Sequence, residues 1–320
     1  MHPPRIPGRR RAAVAAAALV AVLAGSAPGV AQATPGPDTA ARAEVAPAVL
    51  DAVANGQESA FFVVLKEHAE AFGEPRLLGS VLSVQREQAR RKGRLREALE
   101  IGGRALTLAE HAGDPAGIAF ERANLAELHL LLDEHEEASA RAAAAVRESV
   151  AEPYWSTPYA LHAAARVAMH AGDGDPDGLL DRALCAAVEH GDHQARREVL
   201  AAQAERHIRQ GDPEQALALL EQVRAAGAAH LLARAHLAAG HARQAAELAL
   251  AEAEVERAAR ADEHLVETEA RIVHAAALAA LGHRQESTDD FAAATRLATE
   301  LPYPAGLRYA ESAESRCRSR

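Results

Sequence analysis

The chain has 320 residues, of which 49% are apolar and only 3% aromatic, and a formal net charge of −10. That supplies ample core material but builds it from Ala, Leu and Val, which suit close-packed helices better than a sheet. The acidic balance argues against a nucleic-acid partner, which needs a basic face to displace counterions. In the most basic stretch, "REQARRKGRLRE", acidic residues are interleaved.

The N-terminus has three parts: a basic start (Arg5, Arg9, Arg10, Arg11), an apolar run over 12–24, and small residues ending Ala31-Gln32-Ala33. This is the build of a secretory signal peptide over 1–33, cleaved after Ala33, and its apolar run is too short for a comfortable membrane span. The expected location is therefore outside the cell, with membrane contact only during export; a leader that does not function would leave the chain in the cytoplasm. Residues 34–78 form a linker and a short further segment, with a helix near 47–54, a turn at Asn55-Gly56 and a strand near 61–65 around "FFVVL". This stretch resembles the start of the propeptide in secreted subtilisin-like proteases, but no Asp, His or Ser motif of such a protease follows it.

From residue 79 the chain reads as helix with regular interruptions. "KGRLREAL", "LDEHEEAS", "AGDGDPDGLL", "QGDPEQAL", "AGHARQAA" and "LGHRQEST" are copies of one turn, anchored at Gly93, Asp133, Gly172, Gly211, Gly240 and Gly282. The intervals are 40, 39, 39, 29 and 42 residues, the period of a helical repeat. Glycine tolerates the left-handed backbone that ends a helix, and a following proline suits the first turn of the next. Small residues keep register with the anchors. Ala126, Ala165, Ala204, Ala233 and Ala275 stand seven before them, with Arg86 the exception; Ala98, Ala138, Ala216, Ala245 and Ser287 stand five after. Ala105, Ala145, Leu184, Val223 and Ala294 stand twelve after, with Glu252 out of pattern. Two antiparallel helices approach closely only where side chains are small.

With these turns and alanine registers the chain resembles the tetratricopeptide repeat (TPR) family. The longer period, and segments such as "AEHAGDPAG", "VEHGDHQAR" and "ATELPYPAGLRYAE", make it similar to the helical arrays of large actinobacterial ATP-dependent, LuxR-type transcriptional regulators. Those regulators also carry a nucleotide-binding domain, whereas this sequence has no Gly-Lys pair and hence no phosphate-binding GxxxxGK[ST] loop. The fold expected is all-α, a right-handed solenoid of about six TPR-like hairpins over 79–310, with a disordered tail over 311–320.

Function follows from that architecture: a non-catalytic scaffold that binds a protein or peptide and needs no cofactor. The alternative is a regulatory-protein fragment behind a spurious or fused leader, and a more distant one a secreted enzyme or protease accessory. The resemblance places the first helix of each hairpin on a concave face, with positions ten and six before the anchors pointing into it. In this sequence those are Glu87, Glu127, His162, Arg166, Glu205, His230 and Arg234. The two His/Arg pairs have i,i+4 spacing and so share a helix face. Arginine's planar fork suits a carboxylate, which makes an acidic peptide or a C-terminal carboxylate the sharper form of the expectation; the plainer form, and the one favoured, is solvated charge paired with Glu127 and Glu205.

Other constellations carry less. His129, His207 and His236, four before an anchor, read as packing residues. Asp173, Asp175, Asp177 and Asp181 begin like a calcium loop, but Leu184 stands where the closing Glu belongs and Pro176 stiffens the loop, so a polar turn is expected. Trp155, the single tryptophan, is expected either in the core between repeats, the favoured reading, or as a surface anchor for a partner. Cys185 and Cys317 match no disulfide framework or zinc ribbon.

Overall fold

The computed structural model describes residues 75–151, 154–223, 229–250 and 263–318. The expected leader, and the linker with its helix and strand, lie outside the described residues. The chain divides into two compact units, 1–85 and 86–320.

Among the described residues the regular structure is helical: α1 (Pro75–Arg91), α2 (Leu95–His111), α3 (Pro115–Leu131), α4 (His135–Ala151), α5 (Thr157–Ala171), α6 (Pro176–Glu189), α7 (His193–Gln210), α8 (Pro213–Glu221), α9 (Ala229–Ala238), α10 (Ala242–Leu250), α11 (His264–Leu281), α12 (Arg284–Glu300) and α13 (Pro304–Arg318). α1 begins four residues before the expected array. The helices pair as six hairpins, each with a first and a second helix, and α13 follows alone: an all-α solenoid.

Each anchor ends a first helix with a positive φ, from 62° at Asp133 to 86° at Gly282. This conformation frees the chain to reverse while the last carbonyls of the helix still find backbone donors, as when the Asp212 amide donates to the His207 carbonyl at 2.9 Å. The same Gly-Asp-Pro signal also works between hairpins. Gly113 turns with φ 58°, the Asp114 carboxylate accepts from the Gly117 amide at 3.1 Å, and Pro115 opens α3.

The alanine registers sit at the helix contacts. Ala126, Ala165, Ala204, Ala233 and Ala275 are fully buried, as are Ala98, Ala138, Ala216 and Ala245. The third hairpin departs from the register. Its turn holds a second left-handed glycine, Gly174, and α6 starts four residues after the anchor instead of two. The buried positions become Leu180, Ala183 and Ala187, while Leu184 is only partly buried. Arg86, the exception in the first hairpin, is buried to 4% and ion-paired with the equally buried Glu121. Gly102 makes room opposite, since a Cβ there would lie 2.9 Å from Leu125 and 3.2 Å from the Arg86 stem.

The tail expected to be disordered is helical through Arg318. Ala310, Ala313 and Cys317 lie on one face of α13 and pack on Ile272, Ala275, Phe291 and Ala294 of the sixth hairpin. The polar composition of the tail hid this narrow apolar stripe.

Candidate functional site

From α3 onward, each first helix packs on the first helix of the next hairpin, and α13 packs on both α11 and α3. The first helices therefore close a ring. Its seam is apolar and charged together: Leu265, Ala298, Leu301 and Tyr303 join a cluster with Leu95, Leu106, Leu125 and Leu128, Arg308 pairs with Asp133 at 2.5 Å, and Arg91 with Glu263 at 3.4 Å.

All seven residues expected on the concave face belong to one electrostatic network inside this ring. His162 Nδ1 is 3.0 Å from Glu127. Glu205 lies 2.7 Å from Arg209 and 3.5 Å from Arg234. His230 Nε2 is 3.1 Å from Glu269, which also accepts from the Tyr303 hydroxyl at 2.9 Å. Glu87 takes two bonds of 2.7 Å from Arg90 and one of 2.9 Å from Arg91. Arg234 stacks 5.3 Å from the Tyr309 ring centroid. The interior is thus a half-buried lattice of charges, most of them paired with one another.

The titrations follow from the neighbours. Burial opposes ionisation of Glu87, but Arg90 and Arg91 outweigh it and hold the carboxyl at about 2. Burial is likewise outweighed at Glu127, by His162, Arg166 and Arg90, which also brings it to about 2. Glu205 is depressed by Arg166, Arg234 and Arg209 against the same penalty. Glu198 goes the other way: burial, together with the negative charges of Glu127 and Glu87, raises it.

Arg166 stands apart. The charges of Glu205, Glu127 and Glu269 all act on it and raise its pKa against burial. Yet among the described residues no ion pair or hydrogen bond reaches its guanidinium, because each of those glutamates is already engaged elsewhere.

Sequence reasoning missed Arg90, Glu198, Arg209, Glu269, Tyr303 and Tyr309. Glu198 and Glu269 stand thirteen before their anchors, one helical turn from the ten-before position and on the same face, so the period alone could have found them. Tyr303 and Tyr309 come from outside the six-hairpin register and carried no such signal.

Other expectations are revised. Trp155 is 48% exposed rather than buried, with its ring centroid 5.1 Å from Phe120. His129 faces Glu134 at 2.6 Å, His207 faces Asp212 at 3.7 Å and His236 faces His241 at 3.4 Å, so each ring presents a nitrogen to the side chain five residues on. In the Asp-rich loop, Asp175 caps α6, Asp177 pairs with Arg206 at 3.1 Å and Asp181 accepts from Gln203 at 3.1 Å. Among the described residues, no group of three or more His, Cys, Asp or Glu is placed to hold a metal ion, and no helix is long and apolar enough to cross a membrane.

No protein-family model matches the chain, and no curated protein matches it. Among solved structures it is similar to that of a Podosopora anserina protein described as a kinesin light chain with nearly identical TPR-like repeats, at 18% identity over 71% of this chain and 96% of the other, with a TM-score of 0.33.

Proposed function

We propose that the chain is a non-catalytic scaffold whose ring interior receives a carboxylate-bearing segment of a protein or peptide, with Arg166 and Arg234 as the contact points. The observation that carries this reading is the Arg166 guanidinium. It offers five N–H donors in a fixed fork and holds them half-buried with no direct partner among the described residues. The charges of Glu205, Glu127 and Glu269 act on it without a direct pair among the described residues. A carboxylate accepts two parallel N–H bonds from such a fork, which is the strong form of the interaction. Glu127 and Glu205 flank the site and would repel a misplaced acid, so charge placement would select the register of the ligand.

The same proposal includes export, with residues 1–33 removed. Sequencing the mature N-terminus after cell fractionation tests that part.

For the interior, Arg166 and Arg234 are replaced together by Ala, and partners captured from the natural host are compared with those of the wild type. Loss of capture with helical content intact is expected. Replacing Arg166 by Lys keeps the charge and removes the fork, and is expected to weaken capture without abolishing it. Unchanged capture by the double variant overturns the assignment.

A further inference from the structure

In the fifth hairpin the turn at Gly240 joins α9 to α10. This turn carries a pair that the other turns lack. His236 lies in the last turn of α9 and His241 follows Gly240, and their Nδ1 atoms face each other at 3.4 Å. The ring centroids are 5.7 Å apart and the planes are tilted by 46°.

Hairpins 2 and 4 show what this slot holds elsewhere. There the same histidine position faces a carboxylate, Glu134 at 2.6 Å or Asp212 at 3.7 Å. In the fifth hairpin a second imidazole replaces the carboxylate, and two ring nitrogens meet instead. One N–H···N bond can join them, but 3.4 Å is long for a hydrogen bond. It is the separation of two nitrogens on one tetrahedral zinc ion: bonds of about 2.0–2.1 Å at the tetrahedral angle put the nitrogens about 3.4 Å apart. His241 is exposed, so the site is open to solvent.

We propose that His236 and His241 form a two-nitrogen site for a divalent transition-metal ion of the zinc class. The ion staples the end of α9 to the start of α10 and keeps water in its remaining positions. Imidazole suits zinc, copper and nickel, whereas calcium and magnesium take oxygen ligands. A ligand that binds only the folded chain raises its stability by mass action.

The test is a zinc titration of the full chain by calorimetry, in a buffer that does not chelate, followed by thermal unfolding with and without zinc. Because the chain has 16 histidines, the readout is the difference between proteins rather than binding itself. The variants are H236A and H241A, with H129A and H207A as controls at the equivalent positions. H236Q and H241Q keep a polar side chain at the turn if either Ala variant loses helical content. The wild type and both controls are expected to take up one zinc equivalent more than any variant at 236 or 241. Zinc is expected to raise the unfolding temperature only where that equivalent binds. The proposal is overturned if the wild type binds no zinc, or if the variants at 236 and 241 bind as many equivalents as the wild type.

Discussion

Arg308, near the start of the last helix, reaches back across the ring to Asp133 at 2.5 Å, and Asp133 is the one turn anchor that is not glycine. The two facts explain each other. Asp133 holds φ 62°, a conformation that L side chains adopt at a cost, and an acidic residue there keeps a carboxylate that the seam uses. Where the chain needs only the turn, it uses glycine.

Substitutions at Asp133 separate backbone from charge. Asp133→Gly removes the left-handed penalty and loses the pair, whereas Asp133→Ala loses the pair and keeps the penalty. Ala is expected to be less stable than Gly by about 1–2 kcal/mol in urea unfolding. Arg308 is half exposed, so Arg308→Ala is expected to cost only about 0.2–1 kcal/mol. Equal midpoints for Ala and Gly would remove the backbone from the explanation.

The solenoid was legible in the sequence because it rests on one-dimensional signals. Six anchors with a left-handed backbone, and alanines seven before and five after them, fix where helices stop and where they touch. The ring closure was not legible. Leu125, Leu265 and Leu301 look like ordinary inter-repeat leucines, and nothing in a repeat that sees only its neighbours says that the sixth copy returns to the first. The interior was half legible: register placed Glu127, His162, Arg166 and Glu205 on one face, but whether their charges stay free depends on which neighbours come within reach across the ring. Trp155 was misread because a lone large apolar residue carries no period that says which way it faces.

The alanine register makes a direct prediction. Ala126, Ala204 and Ala275 have no accessible surface, and each lies at a contact between helices. Enlarging any one to Leu adds three carbons where none fits, and overpacking of this kind costs about 1–3 kcal/mol. Denaturant midpoints should fall for all three variants, with helical content kept. Three neutral substitutions would mean that the contacts are not as close as drawn.

Arg86 and Glu121 predict a non-additive pair. Both side chains are only 4% accessible, so removing either leaves the other charged and buried, at a cost of about 3–5 kcal/mol. Arg86→Met alone and Glu121→Leu alone should therefore each be strongly destabilising. The double variant exchanges the pair for apolar side chains of similar size and should recover most of the loss, which a double-mutant cycle measures. Additive losses would show that the ion pair itself is not what the two residues share.

The interior predicts how the ring responds to acid. Glu87 and Glu127 titrate at about 2 in the folded chain, against an ordinary value of 4.5. As pH falls, the unfolded chain takes up these protons first, so stability that is full above about 4.5 drains away towards 2. Glu198 carries the opposite sign. Burial raises its pKa, so its contribution is present at low pH and is lost as pH rises through its folded value. Glu198→Gln fixes the side chain in the neutral form and keeps an oxygen that can accept from Gln194, which bonds Glu198 at 3.0 Å. It should therefore be more stable than wild type at pH 7, with the advantage shrinking to nothing as the pH falls below 4.5. Glu127→Gln should instead be less stable than wild type at pH 7 and converge with it near pH 2. Urea midpoints measured from pH 2 to pH 8 separate the two carboxylates. If the curves of the two variants shift in the same direction at pH 7, the assignment of charge inside the ring is wrong.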